Sequence, residues 1–502
     1  MVSSRTGLQV IPLKTKVDNK PEFAGDYLLR NLFLHTHYGE VIDITAIMVE
    51  LNIYESIFKN AVTGSVVIGD TKNQIARLQI NGLERISFKL TTPGQTADAD
   101  TIDASETTGN PFHVYKISDR KQENPTLTTY VLHFASREFM RNIRTKISQS
   151  FEGTLDEHVR LIMSDKEYLD SRKTLYNEAT ANQDKIVVPN VRPFTAINNL
   201  ARVAIPENSK DAVGYYFYET TKGYYFRSWQ SMVSSRGTFN RSIKQDYYYQ
   251  PAKMTKEQDV DKIEHDLQTV EEYEFVNTFH DVAANTALGT YGHRVISYNF
   301  FDKSFTEKDY HYHNKFAETK HADFTKSQFD GEKYAIAPTP VDFDNKDNVS
   351  DYPLSRVSLQ GTSQFVHDSE TGKFGIDVKQ DSTKLGEYVA QRNQVQHGTT
   401  IRMRVKGQCK LQVGDLINFH MKDVNVDRDK SAADKERTDP RFSGRYVITK
   451  LRHQITGDKH TMMLEITKDS SAQSLSVNAT GKRTTTGLFN SIQIDDPAVG
   501  SS

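Results

Sequence analysis

With 502 residues, 37% hydrophobic and 25% charged, the chain is long enough for about three domains with ordinary cores, which excludes a wholly disordered polymer. Its 63 basic and 65 acidic side chains leave a formal charge of −2, which excludes any global pull toward nucleic acid or anionic membrane. The one cysteine, Cys409, excludes a disulfide framework or a cysteine-based zinc site within one chain. No run approaches the roughly 18 apolar residues of a membrane span, and residues 1–20 lack a signal-peptide apolar core, so a soluble protein is expected.

Residues 1–30 read as a polar N-terminal arm. The stretch Val41–Leu51 is rich in β-branched residues, and Val62–Ile68 is a second candidate strand. Leu83–Leu90 is a third, with Ile86, Phe88 and Leu90 on one face at period two. Residues 91–110 read as an exposed loop. Phe112–Ser118 and Thr129–Phe134 form a hairpin around Asp119–Leu127. The period then changes. Thr154-Leu155-Asp156-Glu157 is a capping box, and Leu155, Val159, Ile162 and Met163 share a helical face. A second helix begins near Pro193, turns Phe194, Ile197, Leu200, Ala201 and Ala204 inward, and stops before Pro206. Two aromatic runs, Gly214–Tyr218 and Tyr224–Trp229, flank Lys222-Gly223 as a hairpin. Residues 236–380 are polar and aromatic, with an acidic run near Glu271–Glu274. Leu385, Tyr388, Val389 and Val395 predict a helix, Thr400–Lys468 a final β region, and 471–502 a flexible C-terminal tail.

Two regions repeat one pattern. Glu84-Arg85-Ile86-Ser87-Phe88-Lys89-Leu90 matches Asp415-Leu416-Ile417-Asn418-Phe419-His420-Met421 as acid, apolar, aromatic, apolar at alternate positions. A polar excursion and a long hairpin follow each: Val114–Ile117 with Tyr130–Phe134, and Val447–Leu451 with Met462–Ile466. Phe88 precedes Ile117 by 29 positions, and Phe419 precedes Leu451 by 32. Shared order and spacing favour a duplicated domain. The expected fold is therefore α+β and β-rich, with two similar tube-like β-barrel or sandwich domains, helical connectors and an insertion domain. The first β domain is placed at 31–150, a helical connector at 151–210, the second β domain at 211–235 with 385–470, and a peripheral insertion at 236–384. The expected cores hold Ile86, Phe88, Ile117, Leu132 and Phe134 in the first, and Ile417, Phe419, Val447, Leu451 and Leu464 in the second. Three such chains in a closed ring would present six similar domains.

The ordered segments Asp43–Ile57 with Thr63–Asp70, Gly289–Asn299, and Gly414–Phe419 with Phe442–His453 resemble those of the central baseplate hub proteins of contractile-tailed bacteriophages, the myovirus tail hub family. The matches cover about half of the chain. The resemblance implies a structural homotrimer whose paired domains form a pseudo-sixfold ring joining the sixfold tail tube to the threefold central spike, and enclosing a channel for genome passage. It further implies tail tube protein, central spike protein, baseplate wedge proteins and the tape-measure protein as partners, and only transient passage of DNA. It implies a virion tail baseplate location after assembly in the host cytoplasm, with no stable membrane insertion. Related hubs occur in injection systems such as type VI secretion.

Candidate chemistry is sparse. His311-Tyr312-His313 would place two imidazoles on one side of a strand as a metal chelate, without further ligands nearby. His265-Asp266 and His280-Asp281 lack a nucleophile elbow, phosphate loop or HExxH pattern. Asp43, Glu50 and Glu84 are carboxylates that would suit glycan hydrolysis if paired. Arg137, Arg141, Arg144 and Lys146 form a basic cluster open to phosphates or to an acidic partner. No cofactor, metal or catalytic residue is expected. The alternative readings are a tail-associated glycan hydrolase and a host-receptor-binding tail protein.

Overall fold

The computed structural model describes residues 21, 23–71, 77, 80–94, 100–181, 183–208, 213–234, 242–249, 261–277, 282–298, 303, 305–316, 318–323, 352–361, 366–368, 373–374, 382–421, 439 and 442–470. The arm at 1–20 and the tail at 471–502 lie outside them.

The first β unit comprises β1 (Leu28–His35), β2 (Val41–Asp43), β3 (Met48–Ser56), β4 (Thr63–Asp70), β5 (Arg85–Thr91), β6 (Thr101–Asp103), β7 (Phe112–Asn124) and β8 (Leu127–Ala135). They pair in the order β2-β1-β5-β7-β8-β4-β3, with β6 on β5. Period-two alternation sends Leu51, Val66, Ile86, Phe88, Leu132 and Phe134 into one buried core. Gly64 on β4 lies under the Phe134 ring: a Cβ there would fall 2.2 Å from the ring Cζ, so only glycine lets the ring close over the strand. Two expectations change here. The 91–110 loop contains β6, with Ile102 buried opposite Leu90; three residues are too few to show alternation. Asp119–Leu127 is no loop either, because β7 and β8 run on to a tight turn at Asn124 and Leu127. Its charged residues sit on an exposed strand edge, where hydrophilicity mimics a loop.

The middle of the chain adds β9 (Ile147–Thr154), β10 (Leu175–Asn177), β11 (Gln183–Val191), β12 (Tyr215–Thr220) and β13 (Gly223–Ser228). Helices Arg137–Arg144, Leu155–Ser164, Pro193–Val203 and Trp229–Val233 lie among them. The connector at 151–210 is thus mixed and not purely helical: β9 and β11 pair antiparallel within it. The Glu157 carboxylate accepts the Thr154 N–H at 3.0 Å, so the capping residue starts its helix as the spacing predicts. Leu155, Val159 and Ile162 pack with Phe194, Ile197 and Leu200. The β12–β13 hairpin is buried on both faces. Tyr215, Phe217, Tyr224 and Phe226 enter this helical core, while Tyr216, Tyr218 and Tyr225 enter the core of the second β unit. The hairpin, expected within the second domain, forms its own sheet with β10 and wedges between two cores. A hairpin aromatic on both faces needs two apolar surfaces.

The second β unit begins with β14 (Asp246–Tyr249) and β15 (Thr269–Asn277). After these come β16 (Gly292–Tyr298), β17 (Phe305–His311), β18 (Val357–Gly361), β19 (Val366–Asp368) and β20 (Lys373–Phe374). The unit resumes with β21 (Thr399–Lys406), β22 (Leu416–Met421), β23 (Gly444–Thr456) and β24 (His460–Lys468). Successive pairings β23–β22–β14–β15–β21–β24–β23 close a barrel. The 236–384 insertion therefore starts later than its composition indicates: β14 and β15 belong to the barrel wall. The acidic run of β15 faces outward against Arg402, Arg404 and Lys406 on β21, so its polarity reflects cross-strand pairing. Strands β17-β16-β18 form a separate sheet against helix Ser382–His397, and β19–β20 extend the β9–β11 sheet. Strand β23 also pairs antiparallel with β3, from Lys450–Ser56 to Thr456–Glu50. That seam merges both units into one 14-stranded sheet.

The two units share a strand plan. In chain order β1, β3, β4, β5, β7, β8 correspond to β14, β15, β21, β22, β23, β24. In space β1-β5-β7-β8-β4-β3 corresponds to β14-β22-β23-β24-β21-β15. Registers agree as well: Ile86 faces Phe112 as Ile417 faces Tyr446, and Ile117 faces Leu132 as Leu451 faces Leu464. Glu84 and Asp415, both buried, occupy like positions. The Glu84 carboxylate accepts the Asn81 N–H at 2.9 Å, and that of Asp415 accepts the Gln412 N–H at 3.1 Å. Their carbonyls accept from Val114 and Ile448. Phe88 meets Phe112, and Phe419 meets Tyr446. One pairing differs in sense: β1 is antiparallel to β5, whereas β14 is parallel to β22.

Candidate functional site

The region that joins most of the molecule is the seam between β3 and β23. Along β3, Leu51, Ile53 and Glu55 share the inward parity, which places an acid among apolar residues. Glu55 is buried and accepts the Thr221 N–H at 2.7 Å and the Val413 N–H at 3.2 Å. One carboxyl thereby ties the first β unit, the β12–β13 turn and the loop before β22. Burial pushes its pKa up to about 7, against the pull of those two N–H donors.

Beside it on the seam, inward positions of β23 and β24 carry His453 and His460. Both are fully buried, with His453 Nδ1 and His460 Nε2 3.0 Å apart. Burial lowers both pKa values, that of His460 to about 3. Folding therefore keeps both imidazoles neutral, while the unfolded chain takes up protons below its ordinary value of 6.5. Stability contributed by the pair is complete above that pH and is lost as pH falls below it, by up to about 1.4 kcal/mol per histidine per pH unit. Urea midpoints measured between pH 7 and 5 should fall more steeply for the native sequence than for a His453→Gln/His460→Gln variant. Equal slopes would contradict this.

The outward face of the seam is a cross-strand ladder of charge. Glu50 accepts from Arg452 and Gln454, each at 3.1 Å, and Arg452 lies over the Tyr54 ring. Glu465 pairs with Lys450 at 2.6 Å and Arg402 at 3.6 Å; Arg402 also pairs with Glu274. Glu271 takes Arg404 and Lys406. Such exposed pairs add little stability, but among the described residues Arg402, Arg404, Lys406, Lys450 and Arg452 each meet an acid on this wall.

A second polar centre is internal. Lys173 lies between Glu138, at 3.2 Å, and Glu219. Both carboxylates are about 1% exposed. Burial disfavours ionisation at both; the Lys173 ammonium and Ser171 hydroxyl hold Glu138 below the usual carboxylate range, while burial keeps Glu219 above it. Glu219 also accepts the Val62 N–H at 2.8 Å. The sequence carries no local signal for this centre, since its three residues come from distant segments. Glu55, His453 and His460 were findable by parity.

Of the residues expected in the cores, Ile86, Phe88, Leu132 and Phe134 lie buried together in the first unit, with Ile117 half-buried against them. Ile417, Phe419, Val447, Leu451 and Leu464 lie buried together in the second. The candidate chemistry disperses. Glu84 caps its turn, Glu50 bonds Arg452, and Asp43 accepts the Thr45 N–H. His311 ends β17 and a helix begins at Tyr312, so the three residues do not form one strand; the His313 side chain lies outside what the structure describes. His265 sits on helix Asp261–Gln268; His280 and Asp281 lie outside the described residues. Arg137 and Arg141 are turned onto the loop at 166–170, bonding the Asp170 carboxylate and the Tyr168 carbonyl, which leaves Arg144 and Lys146 exposed. Among the described residues no group of three or more potential metal ligands occurs, and no helix is long and apolar enough to cross a membrane.

No family model matches the chain, and no curated protein matches it. Among solved structures it is similar to a tail protein from Neisseria meningitidis MC58, at 8% identity over 88% of this chain and 97% of that one, with a TM-score of 0.46. It is similar to the 43 kDa tail protein of prophage MuSo2 from Shewanella oneidensis, at 7% identity over 89% of this chain and 100% of that one, with a TM-score of 0.47. The E. coli c3393 protein, a component of the type VI secretion system, is similar at 8% identity over 90% of this chain and 79% of that one, with a TM-score of 0.37.

Proposed function

We propose that this chain is a structural hub subunit of a phage tail baseplate or a related injection machine. It carries two copies of one β domain, at 28–135 and at 246–277 with 399–468, and three chains close into a ring of pseudo-sixfold symmetry. The observation that carries this reading is the shared strand plan and register of the two units, down to the turn-capping acids Glu84 and Asp415. A chain with two similar domains adapts a threefold spike to a sixfold tube, because three chains offer six similar surfaces. The paired charges along the seam suit the lining of a channel: Arg402, Arg404, Lys406, Lys450 and Arg452 already face acids, which weakens their hold on the phosphates of passing DNA. Partners on this reading are tube, spike and wedge proteins, in a virion tail.

Light scattering and electron-microscopy class averages of the purified chain test the proposal. A trimeric ring, formed alone or with tube and spike proteins, is the expected result; a monodisperse monomer with no ring in any mixture contradicts it. The same reading makes the chain non-enzymatic: the purified protein should leave the turbidity of a peptidoglycan suspension unchanged, and clearing would favour the glycan hydrolase instead.

A further inference from the structure

The intrachain seam supplies a template for the contact between chains. Strand β23 uses its first residues to pair with β22 and its later residues, on the same edge, to pair with β3. Strand β7, its counterpart, pairs with β5 only as far as Val114. Beyond that point its edge away from β8 has no strand partner among the described residues, and residues 115–124 are mostly exposed. The reciprocal edge is bare too. Strand β3 carries β4 on one side and β23 on the other. Its counterpart β15 carries β21 on one side, but on the other only the short β14, opposite Thr269 and Val270. Among the described residues, the edge from Glu271 to Asn277 has no second strand, and Phe275 and Val276 are exposed there. Each chain thus has one uncovered copy of each half of the seam. Long bare edges invite pairing.

Charge agrees with register. The bare stretch of β7 carries Lys116, Arg120 and Lys121, with Asp119 and Glu123 as the acids, whereas that of β15 carries Glu271, Glu272 and Glu274. Transferring the seam places specific residues together. Lys121 faces Thr129 as Gln454 faces Thr461. Glu274 follows Tyr273, which faces Met403, as Asn52 follows Leu51, which faces Val66. Gln454 lies opposite Asn52 in the seam, so Lys121 falls opposite Glu274. Opposite charges at directly facing positions favour the pair.

We infer that β15 of one copy of this chain pairs antiparallel with β7 of the next, with Lys121 opposite Glu274, as a between-chain repeat of the β3–β23 seam. This rests on the ring reading and assigns its contact. The interface is head-to-tail, which closes into a ring when the rotation allows and otherwise polymerises.

A Lys121→Cys/Glu274→Cys variant, made in the full chain, tests it under mild oxidation. Both positions are exposed, and the native Cys409 is buried. Directly facing strand positions bring Cβ atoms to about 5 Å, close to disulfide reach. The expected result is a disulfide-linked closed trimer from the double variant and no interchain disulfide from either single variant. A trimer by light scattering that forms no interchain disulfide overturns this contact and leaves the ring reading standing. A monomer overturns both. Charge exchange gives an independent arm: Lys121→Glu and Glu274→Lys should each weaken the trimer, and their combination should restore it. Failure of the combination to restore assembly contradicts the pairing.

Discussion

Replacing Lys173 with methionine is expected to destabilise the folded chain by about 3–5 kcal/mol, because it leaves two buried carboxylates without their shared cation. Lys173 lies before β10, Glu138 lies on helix Arg137–Arg144, and Glu219 lies on β12. The loss therefore loosens three segments at once, along with the β4 entry held by the Val62 N–H. Urea denaturation followed by circular dichroism reads the effect as a lower midpoint. The deficit should shrink as pH falls toward the carboxylate range, where Glu219 gives up its charge first because burial already raises its pKa. A Glu138→Gln/Lys173→Met double variant should recover part of the loss, since it removes one uncompensated charge. A shift below about 1 kcal/mol in Lys173→Met would mean that water reaches the cluster and replaces the ammonium.

The second large effect is in the cores. Phe419→Ala and Phe88→Ala should each cost about 3–5 kcal/mol, the range for emptying a buried aromatic position. The two phenylalanines hold like places: each is fully buried and each meets an aromatic near the start of the following long strand, Tyr446 or Phe112. Under the two-copy reading their penalties should be similar, and because they belong to separate clusters the double variant should lose close to the sum. A small penalty at one and a large penalty at the other would argue against equivalent positions.

What was legible in the sequence was local. The alternation at Glu84–Leu90 and Asp415–Met421, with an acid before each run, reads directly because a strand buried on one face has period two. The capping box at Thr154 and the proline at 193 mark helix starts for equally local reasons. The barrel membership of β14 and β15 was not legible. Their later partners, β22 for β14 and β21 for β15, each lie more than 100 positions beyond them, and the acids of β15 look like loop residues until Arg402 and Arg404 stand opposite them. The extent of the β7–β8 hairpin was hidden for a related reason: an uncovered edge carries charges, so it resembles a turn. The Lys173 centre depends on side chains from three segments and has no local pattern. Glu55, His453 and His460 had one, since each shares parity with neighbouring core residues and so faces inward, but an acid or imidazole within an apolar run reads first as a solvated position.

The charged edge and the buried seam bear on one question, whether the strand plan repeated within the chain is repeated between chains. Oxidising the Lys121→Cys/Glu274→Cys variant and imaging the product by electron microscopy addresses it directly. A disulfide-closed ring of three chains with six similar lobes is the expected outcome. Single-chain particles with unlinked cysteines would contradict it.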